Sequence, residues 1–282
     1  MAQSPPTHYV LVIFPGFQLL DLAGPLDILN QLSETKQNSH LTLTIVAETL
    51  EPVPAKPIPP SSADWTFDLQ DVSGGDTAGQ NPFNTTFNQY LHPDATCTDY
   101  LRALESGGNS SSSSNSTAKP DVLLIPGGMG SRLTRVHRDG SRTSNVQSLY
   151  DFLPKIATHL STAIITVCTG SDILARAGLL DGRRATTNMA RFDFVARRNP
   201  SVLWQHRARW VRSLSSEAPN RAPIEIWSSA GISAGMDVTL AFVAQFHGGL
   251  HVARGLAKAL EYDWREVEEG GKDPLYEKYY SL

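Results

Sequence analysis

Residues 9–14, Tyr-Val-Leu-Val-Ile-Phe, form an unbroken apolar run that stops at Pro15-Gly16. A run of this length without alternation predicts a strand buried on both faces. After it, Asp21 opens a segment in which Leu26, Ile28, Leu29 and Leu32 recur at helical spacing. Residues 41–47 alternate and are rich in β-branched side chains, which predicts a second strand. The pattern then lapses. Five prolines fall within 52–60, and 72–90 is mostly Gly, Asp, Asn, Thr and Gln. Residues 106–118 carry no large apolar side chain and cannot bury enough surface to offset their ordering entropy. We read 52–90 as an irregular surface insertion and 106–118 as a disordered loop.

Order resumes at Asp121. Residues 122–125 predict a third strand, stopped by Gly127-Gly128-Met129-Gly130, and 146–160 show helical spacing. Residues 163–167 predict a fourth strand, followed at once by Cys168-Thr169-Gly170-Ser171 and a short helix closed near Gly178. A turn and short strand at 182–187, a helix over about 190–198, a strand at 224–228 and helices over 234–246 and 250–262 complete the series. Strands alternating with helices predict an α/β fold with a mainly parallel sheet, here one domain over 8–282.

Composition narrows the function. The chain has 282 residues, 40% of them apolar and 18% charged, with a net charge of −4. No Lys/Arg cluster suggests a nucleic-acid partner. Two cysteines, Cys97 and Cys168, exclude a disulfide scaffold and a four-cysteine zinc site. The apolar runs are too short to span a bilayer, and the first residues lack a secretory leader, so a cytoplasmic protein with no membrane partner is expected. His206, His247 and His251 form no metal-ligand set and read as surface or helix-end residues. Cys97 reads as structural.

Three places could carry chemistry. Cys168 stands at a sharp strand-to-helix turn, a nucleophile-elbow arrangement that lifts a thiol above the carboxyl edge of the sheet. Gly170 suits the strain of such a turn. The following helix N-terminus would lower the thiol pKa. A buried cysteine ending a core strand is the competing reading, and the local sequence leaves both open. Gly127 and Gly128 would let backbone N–H groups approach a substrate as an oxyanion hole, or merely turn the chain. Asp21 lies past the first strand on the same edge, as a general acid/base or as an ordinary cap.

Together, residues 10–25, 121–130, 167–187 and 228–240 resemble the ThiJ/PfpI superfamily, in its order and over most of the chain outside 51–120. The resemblance is to the isonitrile hydratase branch and to ligand domains of AraC-type regulators. It implies a flavodoxin-like three-layer sandwich. It implies Cys168 as nucleophile, Asp21 as its acidic partner and Thr169 as a third catalytic residue, with N–H groups of Gly127, Gly128 and Thr169 facing developing charge. Asn188 and Ile232 fall on the implied substrate pocket. Protease-like members place His directly after the cysteine, and Thr169 removes that base. The hydratase branch shows Ala-Thr-Thr-His-Trp where this chain has Ala185-Thr186-Thr187-Asn188-Met189, and Asn cannot titrate near neutrality.

The implied activity is a cofactor-free, metal-free hydratase or lyase, with a small-molecule substrate and a homodimeric state. Deglycase or glyoxalase-like action on α-oxoaldehydes and a non-catalytic binding protein are the alternatives. Only a few dozen residues follow the last motif, so no appended DNA-binding domain is expected.

Overall fold

The computed structural model describes residues 4–69, 83–106, 119–217 and 224–280. The first half contains strands β1 (His8–Val12), β2 (Thr42–Ala47), β3 (Val53–Pro54), β4 (Trp65–Asp68), β5 (Tyr90–Leu91) and β6 (Ala95–Thr96), with helices α1 (Leu19–Ser33) and α2 (Cys97–Ser106). Then come β7 (Val122–Ile125), β8 (Thr134–His137), β9 (Arg142–Ser144), α3 (Gln147–Ile156), β10 (Ala163–Val167) and α4 (Gly170–Arg176). The last part holds β11 (Arg184–Ala185), α5 (Phe192–Arg198), β12 (Leu203–Trp204), β13 (Trp210–Ser213), β14 (Glu225–Ser229), α6 (Ala234–Phe246), α7 (Leu250–Ala259) and α8 (Pro274–Tyr280).

Seven strands form the central sheet in the order β13-β14-β10-β7-β1-β2-β6. All neighbours are parallel except β13, which runs antiparallel to β14. The central strands are buried along their whole length: all residues of β1, β7 and β10 are inaccessible, as unalternating runs require. Helices α1, α6 and α7 pack together, as do α2, α3 and α4, and the two groups cover the sheet. This is the α/β fold with a mainly parallel sheet expected from the alternation of elements, in the three-layer form that the resemblance implies. The register pairs Tyr9 with Val122 and Val122 with Ala163, so β1, β7 and β10 end level with one another.

The 52–90 segment departs from the expectation of an irregular insertion. Its β4 pairs with β8 of the later segment, and β8 with β9, in a three-stranded antiparallel sheet. Phe67, Leu69 and Leu133 make a second small core beside it, with Trp65, Phe83 and Met129 packed around. The prolines concealed this, because the strand begins only after them and finds its partner about 70 residues later. The loop expected over 106–118 lies outside the described residues, apart from Ser106, which ends α2.

Of the surface and helix-end readings, His247 takes the second: it stands at the end of α6, buried and hydrogen-bonded to the Tyr9 hydroxyl at 2.8 Å and to Asn38 at 3.3 Å. Burial pushes its pKa down to about 4. Among the described residues no helix is long and apolar enough to cross a membrane.

Candidate active site

Three adjacent parallel strands end at one edge of the sheet, and each hands over one part of the site. β1 leads to Asp21 in the first turn of α1, β7 to Gly127 and Gly128, and β10 to Cys168 and Thr169. Pro25 has no N–H for the carbonyl of Asp21 four residues back, so the turn carrying the carboxylate is less tightly tied into its helix.

Cys168 adopts φ +58°, the left-handed region that few residues other than glycine occupy. Three bonds hold it there. Its N–H donates to the Ala230 carbonyl at 3.2 Å, and its own carbonyl accepts from the hydroxyls of Ser171 at 3.0 Å and Thr187 at 3.1 Å. Such over-determination is what lets a strained residue persist. The strain therefore falls on the cysteine, whereas Gly170 is helical. Gly170 is needed for a different reason: a Cβ there would lie 2.3 Å from the Ile125 carbonyl oxygen.

Asp21 is 2% exposed. Its Oδ2 accepts the Gly127 N–H at 2.9 Å, and Oδ1 has no hydrogen-bond partner among the described residues. The Cys168 thiol adjoins the carboxyl and favours its charged form. Burial pushes the carboxyl up to about 7, against the N–H of Gly127 and the thiol, which favour its charge. Burial first, and the Asp21 charge second, push the thiol up to about 12. The expectation of a depressed thiol pKa is thus overturned. The Thr169 N–H at the head of α4 does bond to the sulfur, but desolvation outweighs it. Between about pH 7 and 12 the two groups hold one proton between them.

The glycines do not serve as an open oxyanion hole. The Gly127 N–H is taken by Asp21, and the Gly128 N–H donates to Thr169 Oγ1 at 3.1 Å. They position the acid and the threonine instead. Thr169 Oγ1 also lies 3.0 Å from the hydroxyl of buried Ser131, and Thr169 contacts the cysteine through its side chain as well. Asn188 reaches the thiol with its side chain. Gly231 makes room for it, since a Cβ there would meet Asn188 Nδ2 at 2.4 Å. Ile232, next in the chain, is a second non-glycine residue at positive φ, +38°.

The structure thus gathers Cys168, Asp21, Thr169 and Asn188 around one sulfur, and sets Ile232 on the loop whose Ala230 receives the Cys168 N–H. Two further residues join the site without a role assigned from sequence: Ser131 directly follows the glycine turn, and Thr187 closes the 167–187 stretch. Cys97 is buried with its thiol pushed up to about 12, as an inert structural residue should be. A cavity of about 180 Å³ lies further along the sheet edge, between Phe14, Val53, Trp65 and Arg135, and does not include Cys168.

The raised carboxyl carries a cost in stability. Its folded pKa, about 7, lies above the ordinary carboxyl value near 4, so its full contribution is present below pH 4 and is lost as pH rises toward 7. Three units correspond to up to roughly 4 kcal/mol. Asp21→Asn, which mimics the protonated acid, is therefore expected to raise the melting temperature at pH 8 and to change it far less at pH 4.5. Equal shifts at both pH values in thermal unfolding would refute this.

Known proteins resemble the chain in sequence and fold. The DJ-1/PfpI family model matches residues 104–223. Isonitrile hydratase of Pseudomonas putida is 32% identical over 142 residues, which are 50% of this chain and 52% of the hydratase, so the match spans about half of that protein's length. A ThiJ/PfpI family protein of Pseudomonas syringae aligns with a TM-score of 0.55 at 20% identity, over 94% of this chain and 77% of its own. An AraC family transcriptional regulator of Pseudomonas putida aligns at 0.56 and 14% identity, over 90% of this chain and 100% of its own, a likeness of fold alone. The matched segment carries Gly127, Gly128, Cys168 and Asn188, the sheet sets Asp21 against them, and this part of the chain is similar to the DJ-1/PfpI family, with its sequence likeness running toward isonitrile hydratase.

Proposed function

We propose that the chain is a cysteine-dependent hydratase that adds water to an isonitrile carbon and releases an N-formamide. The observation that carries this reading is the buried Asp21 carboxyl set beside the buried Cys168 thiol at one edge of the sheet, a pair whose pKa values leave it one proton above about pH 7. An isonitrile needs a nucleophile and a proton at the same carbon. As the C–S bond forms, the shared proton passes to that carbon, giving a thioimidate and leaving Asp21 as carboxylate. The carboxylate then removes a proton from water as the hydroxyl adds to the thioimidate carbon, and Asp21 returns the proton to nitrogen. Collapse of the adduct breaks the C–S bond, frees the formamide and restores one proton to the pair. The Thr169 N–H and the Asn188 side chain lie at the sulfur, where they stabilise it as a leaving group.

The test is formamide appearance from a simple alkyl isonitrile, with methylglyoxal offered in parallel. Formamide is the expected product. Lactate without formamide would move the reading to a glyoxalase-like reaction, and no turnover of either would favour a binding protein. The pH profile is a sharper check. The one-proton state grows in as pH rises through about 7, so kcat/KM should climb across that range and then level. A rate already flat from pH 5 upward would contradict the shared-proton state.

A further inference from the structure

Arginines that the reaction just described does not use stand near the cysteine turn. Ser131, hydrogen-bonded to Thr169 at 3.0 Å, places Arg132 beside the cysteine turn. Arg191 closes a single helical turn on Asn188, its N–H donating to the Asn188 carbonyl at 3.1 Å, and Asn188 touches Cys168. Among the described residues neither guanidinium has a hydrogen-bond or ion-pair partner, although Arg132 is more than half-buried. A third arginine, Arg198, stands nearby but is spoken for: it lies 3.5 Å from buried Asp172, which also accepts from Asn199 at 2.8 Å. The Arg132 guanidinium is near enough to Cys168, Arg191 and Asp172 to feel their charges, but Asp172 is engaged by Arg198 and Asn199, so neither Arg132 nor Arg191 makes an ion pair of its own.

We propose that the site takes a substrate bearing a carboxylate, held by Arg132 and Arg191, whose reacting carbon then lies at Cys168. This rests on the hydratase reading for the reaction, but not for the anion site itself. The planar guanidinium fork fits a carboxylate through paired N–H bonds, and a half-buried cation with no partner gains most from one. Burial and the neighbouring charge of Arg191 hold the Arg132 guanidinium below its usual range, which is the state a bound anion relieves. Isocyanoacetate is the simplest substrate with both features; adding water to its isonitrile carbon gives N-formylglycine.

Binding is measured by calorimetry with N-formylglycine, its methyl ester and inorganic phosphate on the wild-type chain, so that no turnover is required. The acid is expected to bind roughly 10–100-fold more tightly than the ester, the range of a charge-assisted pair. Arg132→Met should erase that preference, Arg132→Lys should keep part of it, and added salt should weaken it. An ester that binds as tightly as the acid, no binding of the acid, or phosphate binding above the acid would each overturn the proposal. The two readings separate cleanly. Acid preference without formamide from isocyanoacetate leaves the anion site standing and removes the hydratase. Turnover of neutral isonitriles with no preference for the acid does the reverse.

Discussion

Cys168→Ala is expected to abolish formamide production, and Asp21→Asn to lower it by about 10²–10⁴-fold. No other thiol lies at the site, since Cys97 is buried in α2, so the alanine variant cannot form the covalent adduct. The asparagine variant keeps the thiol and can still accept the Gly127 N–H. What it loses is the shared proton, and with it the rise in rate through about pH 7. Steady-state rates over pH 5–9 on the three proteins check both points. Full activity of Asp21→Asn would remove the carboxyl from the mechanism. Asp21→Glu is the middle case, because it restores an acid one carbon longer into a space that Gly127 and Thr169 already crowd.

The second large effect is on stability. Arg209 is wholly buried, paired with Asp237 of α6 and, at 2.8 Å, with Asp273 just before α8, both also inaccessible. Its backbone carbonyl accepts the Ala230 N–H at 2.8 Å, and Ala230 in turn receives the Cys168 N–H. Arg209→Met would strand two carboxylates in the interior, a loss of about 3–5 kcal/mol. For a chain of this size that lowers the melting temperature by roughly 6–20 °C. The gap to wild type should narrow as pH falls and the stranded acids take up protons. A shift within about 1 °C at neutral pH in thermal unfolding would mean that the ion pairs contribute nothing net.

Much of the sheet was legible from short stretches of sequence. The runs at 9–14, 122–125 and 163–167 are apolar without alternation because each strand is covered on both faces, and that pattern is local. The antiparallel sheet of β4, β8 and β9 was not legible, since its pairing joins residues such as Thr66 and Val136 across a stretch of polar sequence. The cysteine was legible from its place between a strand and a helix. Its protonation was not, because burial at that point is made by Asp21, Asn188 and the 230–232 loop, which the linear sequence scatters. The same holds for Gly127 and Gly128. Sequence offers their N–H groups as free, and only the fold shows that Asp21 and Thr169 claim them. Arg132 and Arg191 look like ordinary surface charges until Ser131 and Asn188 tie their neighbours to the cysteine turn.

The left-handed backbone at Cys168 has a consequence for how this chain can drift. Left-handed geometry costs a side chain about 1–2 kcal/mol that glycine escapes. Cys168→Gly is therefore expected to melt at a higher temperature than Cys168→Ala, which keeps a Cβ at the same φ. Along the path of accumulating substitutions, position 168 leans toward glycine whenever nothing holds it back. A sulfur there is held against the preference of the backbone, and loss of the chemistry would leave the fold sturdier and the lineage with little thermodynamic reason to return.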